Sequence, residues 1–232
     1  MFRMNCVSIL YENDEIYVIN KPSGLAVQGG QGVAHSLDVD FSKQVGAKVY
    51  LVHRLDKDTA GLMIVAKTPA AANKWTKLIG SKVAHKEYVA VCAGSINPKK
   101  GVIKDDVVQH GDNKTAVTYY NVEKELDVNY QQPDGQEGQA AQVGQAARQG
   151  SVKMSQIRLL LDTGRMHQIR IHLAKQGCPI AGDDQHGNFK VNKILKKTLK
   201  VKKLLLASVK LTMPLEGKEQ TFEIDLPDYM KF

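Results

Sequence analysis

Apolar positions along this chain follow two periods, and the switches between them mark its elements. Over VSILYENDEIYVINKPSGLAV the period is two: Ile16, Val18 and Asn20 alternate with Tyr17 and Ile19. This predicts a strand, a turn at Glu12-Asn13-Asp14, a second strand and a Lys-Pro-Ser-Gly loop. Residues 34–46 have the spacing of a short helix. VYLVHRLDKDTAGLMIVAKT starts on an apolar run (Val49, Leu51, Val52), passes through a polar cluster and returns as a buried strand, LMIVAK. Helical spacing resumes over 69–82, with Ala72, Trp75, Leu78 and Ile79 on one face and Pro69 in the first turn. KEYVAVCAG reads as a strand, and KTAVTYYNVEKEL alternates as a strand should. Residues 130–151 break the pattern, because Gln and Gly dominate and large apolar side chains nearly vanish. They read as a low-complexity insertion between two strands, without structure of its own. SQIRLLLDTGRMHQIRIHLAKQG then predicts a strand, an Asp-Thr-Gly turn and a helix. That helix is expected to carry Met166, Ile169, Ile171 and Leu173, with His167 and Arg170 near one face. Two strands joined by a Pro/Glu-Gly turn close the chain.

Strands outnumber helices and no segment repeats. The expected fold class is α+β: a mixed, mostly antiparallel central sheet with flanking helices, as one domain over 1–232 made of two subdomains around the sheet.

Composition narrows the partners. The 232 residues carry 32 Lys and Arg against 24 Asp and Glu, a net charge of +8. That balance attracts phosphate polyanions. Seven lysines fall among residues 190–203, KVNKILKKTLKVKK, interleaved with Val, Ile and Leu at roughly helical spacing. One face can pack while the other meets RNA phosphates, although such runs are often only solvated surface. No apolar run is long enough to cross a membrane, and MFRMNCVSILYENDE is acidic too early for a signal peptide. The expected location is the cytoplasm. Cys6, Cys92 and Cys178 form no CxxC pair and are expected to be buried apolar residues.

VHRLDKDTAG gathers acids, bases and a Gly between two apolar segments. Locally, His53, Arg54 and Asp56 fit either a salt-bridge corner or an active site. Asp56 and Asp58 lack the further ligands and the turn Gly of a calcium loop, and His167 and His172 lack zinc spacing. The Gly29-Gly30-Gln31-Gly32 loop has no downstream lysine for a nucleotide phosphate. The residues therefore suggest neither a metal nor an organic cofactor.

HRLDKDTAGLMIVAK resembles the signature of the RluA-type pseudouridine synthases. INKPSGLAVQGG, KEYVAV, KTAVTYY and GRMHQIRIH followed by GCPIAGDDQHG match further blocks of that family, in order, from about residue 8 to 226. The resemblance implies isomerisation of uridine to pseudouridine within structured RNA, without a cofactor. It implies that Asp56 adds covalently to the target nucleotide, splitting one hard step into two. Arg170 would pair with Asp56 and hold it ionised. Tyr88 would stack on the uracil and serve in removing the C5 proton. Arg54 would enter the RNA stack and hold the flipped nucleotide out, with His53, Thr59 and Lys21 as further substrate-binding residues. Residue by residue, Arg170 also fits a helix-face ion pair, and Tyr88 a core aromatic.

Two features depart from the family's pattern. Relatives acting on large-subunit ribosomal RNA often carry an N-terminal RNA-binding domain of the ribosomal-protein S-four-like kind, whereas here the first block begins near residue 8. RNA selection is then expected to rest on this domain, its lysine-rich segment or a partner. Where members often have Arg-Leu-x-Leu-His-Ala, this chain has Lys203-Leu204-Leu205-Leu206-Ala207-Ser208, so a histidine is replaced by Ala207. The expected substrate is 23S ribosomal RNA, with transfer RNA as the alternative, handled by a monomer. A non-catalytic RNA-binding protein is the reading from another class.

Overall fold

The computed structural model describes residues 6–30, 34–109, 111–131 and 149–231. The first half runs β1 (Ser8–Glu12), β2 (Ile16–Lys21), α1 (Leu37–Val45), β3 (Tyr50–Leu51), β4 (Ala60–Ala66), α2 (Pro69–Gly80) and β5 (His85–Ala93). The second runs β6 (Lys100–Gln109), β7 (Asp112–Gln131), β8 (Gln149–Leu161), α3 (Gln168–Lys175), α4 (Phe189–Thr198), β9 (Leu206–Leu215) and β10 (Lys218–Glu223). The strands form a ten-stranded sheet in the order β1-β2-β4-β9-β5-β8-β7-β6, with β3 beside β4 and β10 beside β9. Every described pairing between strands is antiparallel except β4 with β9. This is the expected α+β architecture.

The period-two alternation places side chains on both faces of the sheet. From β2 and β4, Ile16, Val18, Leu62 and Ile64 pack with Ala71 and Trp75 of α2. Tyr17, Ile19, Met63 and Val65 point the other way, toward Leu37 and Phe41 of α1. The start of α2 is fixed locally: the Thr68 hydroxyl accepts the Ala71 N–H at 3.1 Å, and Pro69 follows the cap. Ile169 and Leu173 of α3 and Leu195 of α4 join the larger core with Val89, Ile157 and Leu159.

The parallel seam is short. Only Ala60 with Ala207 and Gly61 with Ser208 pair across it. Beyond them β9 takes β10 as its neighbour from Lys210 to Leu215, so β4 and β9 part. Gly61 sits at φ 113°, and a Cβ there would lie 2.1 Å from the Ser208 carbonyl oxygen. The close approach of the two half-sheets needs glycine at this point.

Four expectations change. The ends of the Gln/Gly-rich segment are paired, Tyr130 with Gly150 and Gln131 with Gln149, because the β7–β8 ladder continues into them. The expectation for 132–148 lies outside the described residues. Helix α3 starts at Gln168, not before Met166, because His167 at φ 53° breaks the helical path. Pro214 lies within β9, and the closing turn is Glu216-Gly217, both at positive φ as a two-residue hairpin requires. Cys6 is exposed because it precedes the first strand, while Cys92 and Cys178 are buried.

Candidate active site

A cleft of about 700 Å³ opens at the seam. Thr59 and Leu206, the residues just before the two parallel pairs, line it. The loop between β3 and β4 contributes His53, Arg54, Leu55 and Asp56, and β5 contributes His85, Lys86 and Tyr88. The turn after β8 and the start of α3 supply Asp162 to Gly164, Arg165, His167 and Arg170. Arg54, Lys82, Lys86, Arg165 and Arg170 line this space against two carboxylates, Asp56 and Asp162. Such a surplus of cations suits a polyanionic ligand. Among the described residues, no group of three or more His, Cys, Asp or Glu side chains is arranged to hold a metal ion.

The structure brings Asp56, Tyr88 and Arg170 together from positions far apart in the chain. The Asp56 carboxylate is 20% exposed and lies 3.4 Å from Arg170 Nη1. Arg170 has a stronger partner. Its Nε and Nη2 donate to Asp183 Oδ2 and Oδ1, each at 2.7 Å, in a bidentate pair buried on both sides. Asp183 Oδ1 also accepts the backbone N–H of Gln185 and His186. Burial works against its charge, but the Arg170 bonds and these N–H groups outweigh it and hold the carboxyl below its ordinary range. Asp183 thus fixes the guanidinium that faces Asp56. It stands in the GCPIAGDDQHG block, which sequence reasoning matched without giving this acid a role. The one signal was a pair of acids in an otherwise small-residue loop.

Tyr88 is buried in β5, with Ser208 as its cross-strand neighbour. Burial pushes its hydroxyl above the ordinary phenol value. Ser208 opposes that shift, although its hydroxyl makes no bond of hydrogen-bonding geometry, and the Asp56 charge adds to it. At neutral pH the ring is therefore a protonated phenol, suited to stacking and to donating a hydrogen bond. Arg54 is exposed at the cleft edge and makes no ion pair among the described residues.

Of the remaining expected substrate contacts, His53 and Thr59 line the cleft and Lys21 does not. Lys21 is fully buried and lies outside the cleft. Its ammonium donates to the carbonyls of Pro22, Leu25 and Lys57 at 2.8–3.0 Å. Burial lowers its pKa to about 8, against the pull of Asp58 and Asp56. The Gly24 N–H reaches the same Lys57 carbonyl at 2.9 Å, so the Lys-Pro-Ser-Gly loop braces the segment carrying Asp56. The lysine cannot reach RNA, because three backbone acceptors hold it inside. His53 lines the cleft, but its Nε2 accepts the Ile64 N–H at 2.9 Å. Burial, with Lys86 adding to it, lowers its pKa to about 3 and keeps the ring neutral. Thr59 is buried, and its N–H closes the turn on the Asp56 carbonyl at 3.2 Å.

One further residue, Gln168, escaped sequence reasoning, and His167 was misplaced by it. Gln168 uses its whole amide: Oε1 accepts from Thr163 Oγ1 and the Arg165 N–H, while Nε2 donates to the Val117 carbonyl and Thr118 Oγ1. It ties the turn under the cleft to β7. His167 was expected on the helix face beside Arg170, but it caps the helix and lies 3.8 Å from Asp56 Oδ1.

The fold and this cleft define a mixed-sheet enzyme with a buried carboxylate–guanidinium centre. The chain is similar in fold to two human proteins, RNA Pseudouridylate Synthase Domain Containing 4 and Domain Containing 1. Their TM-scores are 0.69 and 0.70 at 24% and 18% identity, covering 96% and 97% of this chain and 90% and 85% of theirs. The RNA pseudouridylate synthase family model matches residues 15–175. The chain is 32% identical over 235 residues to ribosomal large subunit pseudouridine synthase C of Rickettsia bellii, covering 95% of this chain and 69% of that one. It is 33% identical over 187 residues to ribosomal large subunit pseudouridine synthase D of Haemophilus influenzae, covering 78% and 53%. The chain belongs to the RNA pseudouridylate synthase family, and its activity is that of an isomerase acting on uridine in RNA.

Proposed function

We propose that this protein converts uridine to pseudouridine in large-subunit ribosomal RNA, with Asp56 as the carboxylate that acts on the flipped nucleotide. The observation that carries the reading is the Asp56–Arg170–Asp183 arrangement at the floor of a cation-lined cleft. A partly exposed carboxylate, held against a guanidinium that is itself locked from behind, is positioned to attack. Tyr88 packs on the uracil and offers its hydroxyl to a carbonyl oxygen of the base. Arg54, at the rim, fills the gap left in the RNA stack. Lys82, Lys86 and Arg165 meet the backbone phosphates on either side.

The ribosomal substrate is supported by the relatives, which are named for the large ribosomal subunit. Transfer RNA is the less favoured reading.

The test is Asp56→Asn in single turnover on large-subunit ribosomal RNA. Pseudouridine formation is expected to vanish while RNA affinity stays within about threefold, since the carboxylate contributes no attraction to phosphate. Turnover by the variant at a wild-type rate overturns the assignment.

A further inference from the structure

Tyr119 lies within β7 between two buried neighbours, Thr118 and Tyr120, and its own ring turns outward, 44% exposed. Alternation along the strand dictates this, since the side chains on either side of it enter the core. Its cross-strand partners are Val102 of β6 and Leu160 of β8. Val102 is 53% exposed and Leu160 is half-buried, so the three form an apolar row open to water. Contiguous apolar surface of this kind beside a cleft marks a place of contact.

The row borders a groove of about 280 Å³, lined also by Lys100, Asn121 and Arg158. Tyr119 and Leu160 line both this groove and the larger cleft, so the two spaces are continuous over them. The charged groups of the groove fall into two sets. Glu87 is already held, by Arg158 Nη1 at 3.3 Å and Lys210 Nζ at 3.9 Å, and Arg158 Nε is bonded to Glu123. Lys100 and Lys104, both exposed on β6, make no ion pair among the described residues. Unpaired cations next to an open aromatic ring are the two components of a surface for single-stranded nucleic acid: the ring stacks on a base, and the ammonium groups meet phosphates.

We propose that this groove is a subsite for unpaired RNA next to the target uridine, with Tyr119 as the platform for a flanking base and Lys100 and Lys104 as phosphate contacts. This rests on the reading of the cleft as the place where a uridine of RNA is isomerised. A uridine turned out of its stack leaves a neighbouring base with one bare face, and the strand has to leave the cleft along one of its walls. The wall at Tyr119 offers a ring for that face. Its unpaired charge is positive, which favours a polyanion over a protein segment as the occupant. Stacking is tolerant of base identity, so the subsite supplies affinity and register rather than sequence preference.

Two substitutions separate stacking from packing. Tyr119→Leu keeps an apolar side chain between Val102 and Leu160 but has no ring face. Tyr119→Phe keeps the ring and loses the hydroxyl. Binding of a large-subunit ribosomal RNA transcript is titrated at several salt concentrations. Pseudouridine formation is followed separately, in single turnover over a range of protein concentrations, and melting curves confirm that each variant folds.

Tyr119→Leu is expected to weaken binding by about 5- to 50-fold, with the slope of log K against log salt unchanged. It should raise the half-saturating protein concentration by the same factor and leave the maximal rate as it is. Tyr119→Phe should stay within about twofold of the wild type, because the ring face remains. Lys100→Gln combined with Lys104→Gln should lower the salt slope by about 1–2. Wild-type affinity in Tyr119→Leu, or a wild-type slope in the double lysine variant, overturns the subsite. Equal losses in Tyr119→Leu and Tyr119→Phe assign the effect to the hydroxyl and overturn it as well. Absence of pseudouridine from the wild-type reaction overturns the parent reading, while the binding titrations still decide the groove.

Discussion

At Arg170 one guanidinium serves carboxylates of unequal depth, with the exposed Asp184 also 3.8 Å from its Nη2. Asp183, 1% exposed, takes the Nε–Nη2 edge, and Asp56, 20% exposed, faces Nη1. The inner pair is the structural half and the outer contact the chemical half. Asp183→Asn should therefore cost more in stability than Asp56→Asn. Breaking one side of a buried pair typically costs about 3–5 kcal/mol, and calorimetric melting checks the difference. The sign of its pH dependence follows from the lowered Asp183 pKa. Its contribution is present above the unfolded carboxylate value near about 3.9 and is lost as pH falls through the lower folded value. Lys21 gives the opposite test. Its folded pKa, about 8, lies below the ordinary lysine value, so its charge burdens the fold below pH 8. Stability should rise as pH climbs from there toward about 10.4. Lys21→Met leaves three carbonyls without their donor and should destabilise by about 1–3 kcal/mol. It should also slow turnover through the loosened Lys57 carbonyl, without weakening RNA binding.

Elements explain which site residues were legible in the sequence. Asp56, Tyr88 and Arg170 stand in segments whose apolar flanks marked a strand or helix, and the family's blocks then supplied their roles. Lys21 was misplaced because nothing in Lys-Pro-Ser-Gly shows that its carbonyls turn inward. Asp183 and Gln168 were missed because their partners, Arg170 and Thr118, are 13 and 50 residues away. Periodicity reports faces of one element, not bonds between elements. His167 was placed on a helical face because a period of 3.6 cannot show that one residue leaves the helical path. The lysine-rich segment was read more accurately. Leu195 of α4 is buried while all seven lysines of residues 190–203 are exposed. Replacing Lys190, Lys193 and Lys197 by Gln should weaken RNA binding and reduce the slope of log K against log salt by about 2–3. Titrations at several salt concentrations check this, and an unchanged slope assigns the helix to packing and solvent.

Over the whole molecule, the cleft exists because two half-sheets touch at only two residue pairs and then diverge. Asp56 belongs to the half carrying β4, and Tyr88 to the half carrying β9. Their relative position depends on the close contact of Gly61 with Ser208. Gly61→Ala should destabilise by about 1–3 kcal/mol from backbone strain alone and slow turnover even where the protein remains folded, as melting and single-turnover rates together will show. The central claim joins this geometry to one carboxylate and one class of RNA. It is tested most directly by mapping pseudouridine in large-subunit ribosomal RNA from cells lacking this protein, complemented with the wild-type chain or with Asp56→Asn. The account predicts at least one site that disappears with the protein, returns with the wild type and stays absent with Asp56→Asn. Restoration of that site by Asp56→Asn, or an unchanged ribosomal map with a loss in transfer RNA, would contradict it.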